Sequence, residues 1–232
     1  MKSLHAALDT SWGFSLALEE EPGKLLFQDQ LTAVGRESDR LLIPWMTQCL
    51  EKAGASLGEV KRWTLGIGPG SFAGLRCGIA AAKGAALASG ALLRGVPSAY
   101  ALAQAVPGEP ASVGILHDGR CGELLLTRFL RQEGGLLRME GEPAPWKPAQ
   151  LEEPERLCQA YGLLQPELRE LCPATLRESL TVLPQVPTTL LLQAPEALYP
   201  WPQDLPAQER SVEPLYVRQA VFVKPAALRA PL

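Results

Sequence analysis

Between residues 66 and 78 the chain reads Gly66-Ile67-Gly68-Pro69-Gly70-Ser71-Phe72-Ala73-Gly74-Leu75-Arg76-Cys77-Gly78. This glycine-rich loop follows a run with strand character, Trp63 to Ile67, and precedes a helix of small residues predicted over 77–93. Glycines in such a loop allow positive φ angles, and loop amides at a helix N-terminus bind anions. The loop therefore indicates either a phosphate-binding turn or a tight connection between a strand and a helix.

The spacing of residues separates these two interpretations only in part. The loop lacks the Gly-x-x-x-x-Gly-Lys-Ser/Thr pattern of a P-loop, and no acidic residue follows on a strand about 20 residues later, as a dinucleotide site requires. Glycines 78, 84 and 90 would let the following helix pack closely on a neighbour. Packing is the favoured interpretation, and contact with phosphate stays open.

Strand and helix patterns alternate around this loop. Apolar runs at 3–9, 14–19 and 24–31 predict an antiparallel meander, and helical spacing predicts a helix from Glu37 to about Gly54. A strand at 92–96 and a short helix at 98–106 complete the order β-β-β-α-β-α-β-α, which is typical of a mixed sheet flanked by helices. We therefore predict an α/β fold.

The second half of the chain repeats the opening pattern. After a boundary at 107–110, strands are predicted at 113–116, 123–130 and 136–139, which indicates an internal duplication in pattern although not in identity. Prolines are dense over 142–214, so regular elements there must be short.

Composition excludes several classes of protein. The 232 residues are 47% hydrophobic and 20% charged, which indicates a globular chain, and the net charge of −3 argues against autonomous RNA binding. Five cysteines without a Cys-x-x-Cys pair predict reduced thiols and a cytoplasmic location. Asp9 interrupts the first apolar run too early for a secretion signal, and 77–93 is too rich in alanine and glycine to span a membrane.

Few side chains suit catalysis. The only histidines are His5 and His117, and their spacing does not match a metal site. His117 and Cys121 could form a thiol–imidazole pair, but the favoured interpretation is that the segment forms a hairpin turn at Asp118-Gly119. We therefore predict no catalytic residue, no metal ligand and no cofactor.

The first strand ends in a carboxylate and two hydroxyl groups, Asp9-Thr10-Ser11, as in hairpins that hold a metal–nucleotide. Trp12 stands where such hairpins favour glycine, so a local turn hydrogen bond is the favoured alternative. Together with the loop they form a candidate vestigial nucleotide or phosphate site, whose residues are Asp9, Thr10, Ser11, Gly68, Gly70 and Ser71.

Small side chains also recur along the predicted helix at three- and four-residue spacing, which lets another helix approach closely. This stripe and two residues of the 37–53 helix form the predicted partner surface, namely Gly78, Ala82, Ala85, Ser89, Leu42 and Met46.

Motifs spread over nearly the whole chain carry a resemblance to a known family. They are Leu8-Asp9-Thr10-Ser11, Arg36-Glu37 with Leu41-Leu42-Ile43-Pro44, the string from Gly68 to Arg76 with Ala81, Lys83 and Gly84, Asp118-Gly119-Arg120 with Gly122-Glu123, and Pro214-Leu215-Tyr216-Val217-Arg218. In this order they resemble the bacterial tRNA threonylcarbamoyladenosine biosynthesis proteins TsaB, also called YeaZ.

The resemblance implies an actin-like ATPase fold (ASKHA, ribonuclease H-like) with two related lobes, at 1–106 and 107–211, the second reduced, and 212–232 packing back on the first. It implies a non-catalytic subunit that pairs through first-lobe helices with the catalytic subunit TsaD, joined by the P-loop ATPase TsaE. That complex transfers a threonylcarbamoyl group to the adenosine next to the anticodon in tRNAs reading codons that start with A. The subunit would meet tRNA only through the complex, and would form a homodimer when alone.

Three positions depart from the family pattern: Ser38, Ala73 and Gly119 stand where relatives have His, Thr and Ala. The missing hydroxyl at residue 73 argues against nucleotide chemistry on the loop. Two alternatives remain: a kinase- or ATPase-like enzyme, for which Asp9 or Asp118 would position water, and, less favoured, a peptidase, which needs a nucleophile with an oriented base.

Overall fold

The structure is a computed structural model. It describes residues 3–31, 38–119, 124–146, 160–163, 172, 174–183, 185–204 and 211–217.

The first half of the chain builds a five-stranded mixed sheet. Its strands are β1 (Leu4–Asp9), β2 (Phe14–Glu21), β3 (Lys24–Leu31), β4 (Val60–Gly66) and β5 (Leu92–Val96), in the order β3-β2-β1-β4-β5. β1, β2 and β3 pair antiparallel, whereas β4 and β5 join β1 in parallel. Three helices accompany this sheet: α1 (Ser38–Lys52), α2 (Phe72–Ser89) and α3 (Ser98–Gln104). The predicted meander is confirmed.

The second sheet repeats this topology. Its strands are β6 (Ser112–Asp118), β7 (Leu124–Arg131), β8 (Leu137–Trp146), β9 (Ala160–Leu163) and β10 (Thr181–Val182), in the order β10-β9-β6-β7-β8. An antiparallel meander is again followed by two parallel strands. Two short helices, α4 (Ala174–Ser179) and α5 (Thr188–Leu192), and short 3₁₀ turns at Leu57–Glu59 and Pro202–Asp204 complete the described elements.

The two faces of the first sheet bury different side chains. Leu8 and Leu16 point to the core shared with α1 and α2, whereas Ala7 and Ala17 face a second core that includes α3, α5 and the second sheet. This alternation follows from the two-residue period of a strand, and the small alanines allow close approach on the second face. The two sheets are therefore joined through the alanine face of the first.

Three predicted boundaries are wrong. Helix α2 begins at Phe72 rather than 77, because the Ser71 side chain accepts a hydrogen bond from Gly74 N at 3.2 Å and caps the helix. It ends at Ser89 because Gly90 has a φ of 69°, a left-handed conformation that suits glycine. Strand β8 continues through Pro143 to Trp146, which an edge strand tolerates because one row of its backbone groups is unpaired.

A buried polar network crosses the first sheet. His5 Nδ1 lies 2.8 Å from Glu19 Oε1, and His5 Nε2 lies 2.8 Å from Thr64 Oγ1. Arg94 Nε donates to the same hydroxyl at 2.8 Å. Although burial alone would raise the pKa of Glu19, the hydrogen bond and charge of His5 bring it below its ordinary value. The four side chains thus satisfy one another inside the protein.

The same arginine fastens a distant segment to the sheet. Arg94 donates to the backbone carbonyls of Leu192 and Tyr199 at 3.3 and 3.2 Å, and its guanidinium carbon lies 4.5 Å from the ring centre of the buried Trp201. Segment 192–201 is thereby held against β5. Within the described part of the chain, no helix is long and apolar enough to cross a membrane.

Candidate functional site

The carboxylate of Asp9 is the centre of the candidate loop site. Its Oδ1 accepts hydrogen bonds from Ser11 N at 2.9 Å and from Ser11 Oγ at 2.6 Å, and its Oδ2 accepts one from Ser98 Oγ. Burial raises the pKa of Asp9, and the hydrogen bonds from Ser11 and Ser98 act in the opposite direction. Both carboxylate oxygens are therefore occupied by donors of the protein itself.

The glycines of the loop and of the first turns of α2 are explained by close packing on the Asp9-Thr10-Ser11 hairpin. A Cβ atom at four of them would clash with that hairpin: 1.8 Å from Asp9 Oδ2 at Gly66, 2.4 Å from Ser11 Cβ at Gly70, 2.2 Å from Thr10 O at Gly74, and 2.2 Å from Thr10 Oγ1 at Gly78. Each contact leaves room only for a hydrogen atom. The geometry supports the packing interpretation of the loop.

Hydrogen bonds complete the junction between loop and hairpin. Ser71 N donates to Ser11 O at 2.8 Å, and Gly68 N donates to Ser98 Oγ at 2.9 Å. Gly68 has a φ of 105° and precedes a cis peptide bond to Pro69. The structure thus brings all six predicted loop-site residues together, and their contact with a phosphate stays a prediction.

A cleft of about 410 Å³ opens beside this junction, between the two sheets. Its walls come from residues 69–75, from the end of β6 and from 215–217. Leu215 N donates to Ile67 O at 2.8 Å, which places this late segment next to β4. The cleft is therefore built from segments that lie far apart in the sequence.

His117 lines this cleft and is 2% exposed. Among the described residues, neither of its ring nitrogens has a hydrogen-bond partner. Burial lowers the pKa of His117 to about 4, so the imidazole is neutral at pH 7. The predicted thiol–imidazole pair involves Cys121, which lies outside the described residues.

An aromatic and cationic cluster borders the mouth of the cleft. The rings of Phe72 and Tyr216 lie 5.1 Å apart between centres, and Arg76 Nε donates to Tyr216 Oη at 2.8 Å. The Arg76 guanidinium carbon is 3.8 Å from the Phe72 ring centre. In the sequence these residues stand out only as parts of motifs, because nothing in their spacing predicts that residues 140 positions apart meet.

A second cavity, of about 540 Å³, lies between α1 and α2 and is lined mainly by apolar side chains. Two predicted partner residues, Met46 and Ala85, line it, and Ser89 Oγ donates to Ala85 O at 2.9 Å. Met46 and Ala85 are at the same time buried members of the core, as are Leu42 and Ala82, and Gly78 faces Thr10.

Sequence reasoning missed several residues of this groove. Ile43 is 52% exposed and Leu57 is 36% exposed, and both line it together with Ala81 and the exposed Gly84. The signal for Ile43 is a large apolar residue on α1 at a position that the helical pattern turns away from the core. We call the cavity lined by Ile43, Met46, Leu57, Ala81, Gly84 and Ala85 the α1–α2 groove.

Thiol and metal chemistry find little support in the described residues. Cys49 is buried, and burial together with the nearby Asp29 carboxylate raises its pKa to about 12. Cys77 and Cys172 are also free thiols. No group of three or more His, Cys, Asp or Glu side chains within the described ranges is placed to hold a metal ion.

Comparison with known proteins places this architecture in a family. Residues 32–162, more than half of the chain, match the sequence model of the family described as TsaD, tRNA N6-adenosine threonylcarbamoyltransferase. The chain is 32% identical over 115 residues to the tRNA threonylcarbamoyladenosine biosynthesis protein TsaB of Escherichia coli K12. That alignment spans 49% of this chain and 50% of the relative, about half of its length.

Two solved structures are similar over most of the chain. YeaZ from Pseudomonas aeruginosa is 25% identical with a TM-score of 0.65, covering 82% of this chain and 89% of its own. A second structure, described as an uncharacterized protein with similarity to peptidase YEAZ from Pseudomonas aeruginosa, is 25% identical with a TM-score of 0.67, covering 93% of this chain and all of its own. The predicted actin-like ATPase fold is thereby confirmed. The chain belongs to the TsaD family of proteins and, within it, to the TsaB (YeaZ) group.

Proposed function

We propose that this chain is a non-catalytic subunit of the complex that makes threonylcarbamoyladenosine in tRNA, and that it binds and supports a TsaD-like catalytic subunit. The Escherichia coli relative is described as a tRNA threonylcarbamoyladenosine biosynthesis protein, and the matching family model as the transferase itself. The observation that carries the proposal is the α1–α2 groove, which offers an apolar surface to a partner.

The groove has the features of a helix-binding surface. Exposed Ile43 lies on α1 and exposed Leu57 lies in the 3₁₀ turn at Leu57–Glu59, and on the α2 side Ala81, Gly84 and Ala85 have side chains small enough for another helix backbone to approach closely. Farther along α2, Leu87 is 89% exposed. Apolar side chains left in water at one end of the molecule are a common sign of a protein interface. A TsaD-like subunit is the occupant that family membership supports.

The sealed hairpin supports the non-catalytic part of the proposal. Asp9 is buried, its Oδ1 accepts two hydrogen bonds and its Oδ2 accepts one, and a Cβ atom at Gly66 would lie 1.8 Å from Oδ2, so protein atoms surround the carboxylate that would hold a metal–nucleotide. A kinase- or ATPase-like activity would need that carboxylate to hold a metal or water. We therefore place this alternative second.

The peptidase alternative meets a different obstacle. Thr64 Oγ1, His5 Nε2 and His5 Nδ1 with Glu19 form the hydrogen-bond order of a nucleophile, base and acid. However, Thr64 is fully buried and its oxygen already accepts a hydrogen bond from Arg94. No substrate carbonyl reaches that hydroxyl in this fold, so the arrangement serves packing rather than acyl transfer.

The wider assembly follows from the same proposal. A TsaE-like P-loop ATPase would supply the nucleotide hydrolysis, and tRNA would be held by the complex rather than by this acidic chain, which has 22 basic and 25 acidic residues. The site of work is the cytoplasm, where tRNA is modified. In isolation we expect a homodimer, because a second copy could cover the same groove.

Replacing Gly84 with Leu tests the proposal. A Cβ atom at this exposed helical position meets nothing within 4 Å, so the leucine fills the groove without disturbing the subunit. We expect association with the TsaD-like protein of the same organism to weaken about 5- to 150-fold, from an overpacking cost of about 1–3 kcal/mol at the interface. The melting temperature of the isolated subunit should stay the same or rise, since leucine favours a helix over glycine.

Calorimetric titration of the two purified subunits measures the first effect and thermal unfolding the second. Arg138→Leu, which adds the same side chain to an exposed position on β8, is the control and should leave association unchanged. tRNA modification by the reconstituted mixture should fall with Gly84→Leu in parallel with binding. Binding within twofold of the natural protein would show that the groove is not the partner surface.

A further inference from the structure

Arg76 is an exposed cation near the start of α2 that the proposed function does not use. Its Nε donates a hydrogen bond to Tyr216 Oη at 2.8 Å, and its guanidinium carbon lies 3.8 Å from the ring centre of Phe72 and 5.6 Å from that of Tyr216. A guanidinium that stacks on one ring and bonds to a second residue keeps few of its rotamers. Arg76 therefore holds one orientation before any partner arrives.

The charge of Arg76 is not matched within the protein in the way that the charge of the next cation on α2 is. Lys83 pairs with Glu213 at 3.1 Å. Arg76 forms no ion pair within the described ranges, and the only hydrogen bond that it donates there comes from Nε. The N–H groups on its two Nη atoms are therefore the donors left for a ligand.

The two rings beside Arg76 leave much of their surface in water. Phe72 is 42% exposed and Tyr216 is 45% exposed, although their ring centres lie only 5.1 Å apart. Aromatic residues and arginine are enriched at protein interfaces, and tyrosine and arginine are among the residues that contribute most to binding. The cluster of Phe72, Arg76 and Tyr216, which we call the Arg76 cluster, thus has the composition of an interface centre.

The Arg76 cluster continues into the α1–α2 groove. Ala80 is exposed, lies one helical turn after Arg76 on α2, and lines the same cavity as Gly84. A helix rises about 1.5 Å per residue, so the Cα atoms of Arg76 and Gly84 lie about 12 Å apart along α2. A standard protein interface covers about 800 Å² on each partner, which is wide enough to include both. One partner that fills the groove therefore also reaches the Arg76 cluster.

The open edge of Arg76 selects an anion, and its surroundings favour a carboxylate over the phosphates of RNA. A planar guanidinium matches the two oxygens of a carboxylate in a bidentate pair. RNA binding draws on several cations that displace counterions from neighbouring phosphates. Here Lys83, the other cation of α2, is already paired with Glu213, and the whole chain has 25 acidic and 22 basic residues. A single acidic side chain of a protein fits this charge pattern better.

We propose that the Arg76 cluster receives a carboxylate of the TsaD-like subunit, with the Nη atoms of Arg76 donating to its two oxygens. The rings of Phe72 and Tyr216 would pack against the apolar atoms beside that carboxylate. The inference rests on the proposed function for the identity of the partner, and it adds the chemistry that this partner must present. A bidentate pair has a defined geometry, so it would fix the register of the partner along α2.

Calorimetric titration of the full chain with the TsaD-like protein of the same organism tests the pair. Arg76→Met removes the guanidinium and keeps an unbranched side chain that can lie on the Phe72 ring. Arg76→Lys keeps the positive charge but not the planar set of donors. Lys83→Met is the matched control, because it removes the same charge from the same helix and also breaks a contact between α2 and residues 211–217.

We expect Arg76→Met to weaken association about 10- to 150-fold, because the carboxylate of the partner then lacks its charged donor. Arg76→Lys should lie between this variant and the natural protein, and Lys83→Met should bind within about twofold of the natural protein. The difference between Arg76→Met and the natural protein should shrink between about 0.05 and 0.5 M salt, since salt screens a pair at the surface. Thermal unfolding of each isolated variant checks that it is folded.

Double-mutant cycles identify the carboxylate. The Asp and Glu residues on the surface of the TsaD-like protein are replaced one at a time by Asn and Gln. At least one replacement should weaken binding to the natural protein and have little further effect on binding to Arg76→Met. Additive effects at every one of these positions would show that no carboxylate of this partner meets Arg76.

Three other outcomes overturn the proposal: unchanged affinity in Arg76→Met, an equal loss in Lys83→Met, which would assign the effect to the contact with residues 211–217, or binding of a mixed-sequence hexaribonucleotide that Arg76→Met abolishes, which would assign the cluster to RNA. Weaker association in Gly84→Leu alone would overturn this inference and leave the groove as the partner surface. Weaker association in Arg76→Met alone would do the reverse. Absence of association between the natural proteins would overturn the proposed function, and this inference with it.

Discussion

Replacement of Gly78 with Ala tests whether the glycines serve close packing. The new Cβ atom would lie 2.2 Å from Thr10 Oγ1 and 2.7 Å from Thr10 Cγ2, distances that real Cβ atoms do not show. Thr10 has little freedom to move, because it is buried and its neighbour Asp9 is fixed by three hydrogen bonds. Helix α2 must therefore shift away from the hairpin.

The magnitude follows from a comparison with Gly84 on the same helix, where a Cβ atom meets nothing within 4 Å. Both substitutions gain the same helix propensity, about 1 kcal/mol. Overpacking at residue 78 costs about 1–3 kcal/mol. Gly84→Ala should thus raise the free energy of unfolding by about 1 kcal/mol, and Gly78→Ala should lie about 1–3 kcal/mol below it.

Urea unfolding of the two variants and the natural protein measures this gap. A third variant sharpens the test: Thr10→Ala removes Oγ1 and Cγ2 and should relieve most of the penalty when combined with Gly78→Ala. The coupling free energy from this double-mutant cycle should be at least about 1 kcal/mol. Two results would contradict the packing interpretation: Gly78→Ala as stable as Gly84→Ala, or additive effects of Gly78→Ala and Thr10→Ala on the free energy of unfolding. Either result would favour the anion-binding interpretation of the loop.

Three further outcomes follow from the buried groups. Because burial lowers the pKa of His117 from 6.5 unfolded to about 4 folded, stability should fall as the pH falls through this window, by about 2 kcal/mol between pH 7 and 5. Urea midpoints at both pH values should show a smaller loss in His117→Phe, and an equal loss would contradict the assignment. Arg94→Met leaves two backbone carbonyls without their donor and removes the cation from Trp201. The free energy of unfolding should therefore fall by about 2–4 kcal/mol, and proteolysis within 192–201 should become faster. Cys49 is buried and has a pKa of about 12, so it should resist alkylation by iodoacetamide at pH 8, while half-buried Cys77 should react. Mass spectrometry of the alkylated protein measures both reactions. Rapid alkylation of Cys49 would contradict its burial.

Local chemistry allowed much of the fold to be predicted. Apolar runs separated by turn residues gave the first meander, because the first two strands are buried on both faces and so carry continuous apolar residues. The start of α2 was placed five residues late, since Phe72 to Arg76 reads as part of a glycine loop and only the Ser71 cap shows that the helix has begun. Strand β8 tolerates Pro143 because it lies at the edge of its sheet. The sequence of the segment does not predict this edge position, because it depends on which strands lie beside it.

The sites were harder to predict than the elements. The small-residue stripe on α2 was identified, but spacing does not say which neighbour it faces: Gly78 faces Thr10 of the hairpin, Ala82 and Ala85 belong to the protein's own core, and Ala85 also lines the α1–α2 groove. The partner surface stays a prediction. The cleft depends on contacts between Phe72 and Tyr216, which no local pattern reveals. His117 is 2% exposed, and no local pattern around it predicts that burial.

Helix α2 contributes to both the candidate loop site and the α1–α2 groove. Its first turns carry Gly74 and Gly78, which hold it against the Asp9-Thr10-Ser11 hairpin, and its later turns carry Gly84 and Ala85, which line the α1–α2 groove. Within the hairpin, Ser11 donates to Asp9, and the backbone oxygen of Ser11 accepts a hydrogen bond from Ser71 N at the start of this helix, so the hairpin helps to fix the helix in place. A rigid helix presents an interface at lower entropic cost than a mobile one. The sealed hairpin and the exposed groove are thus two consequences of one packing arrangement, which suits a subunit that supports a catalytic partner.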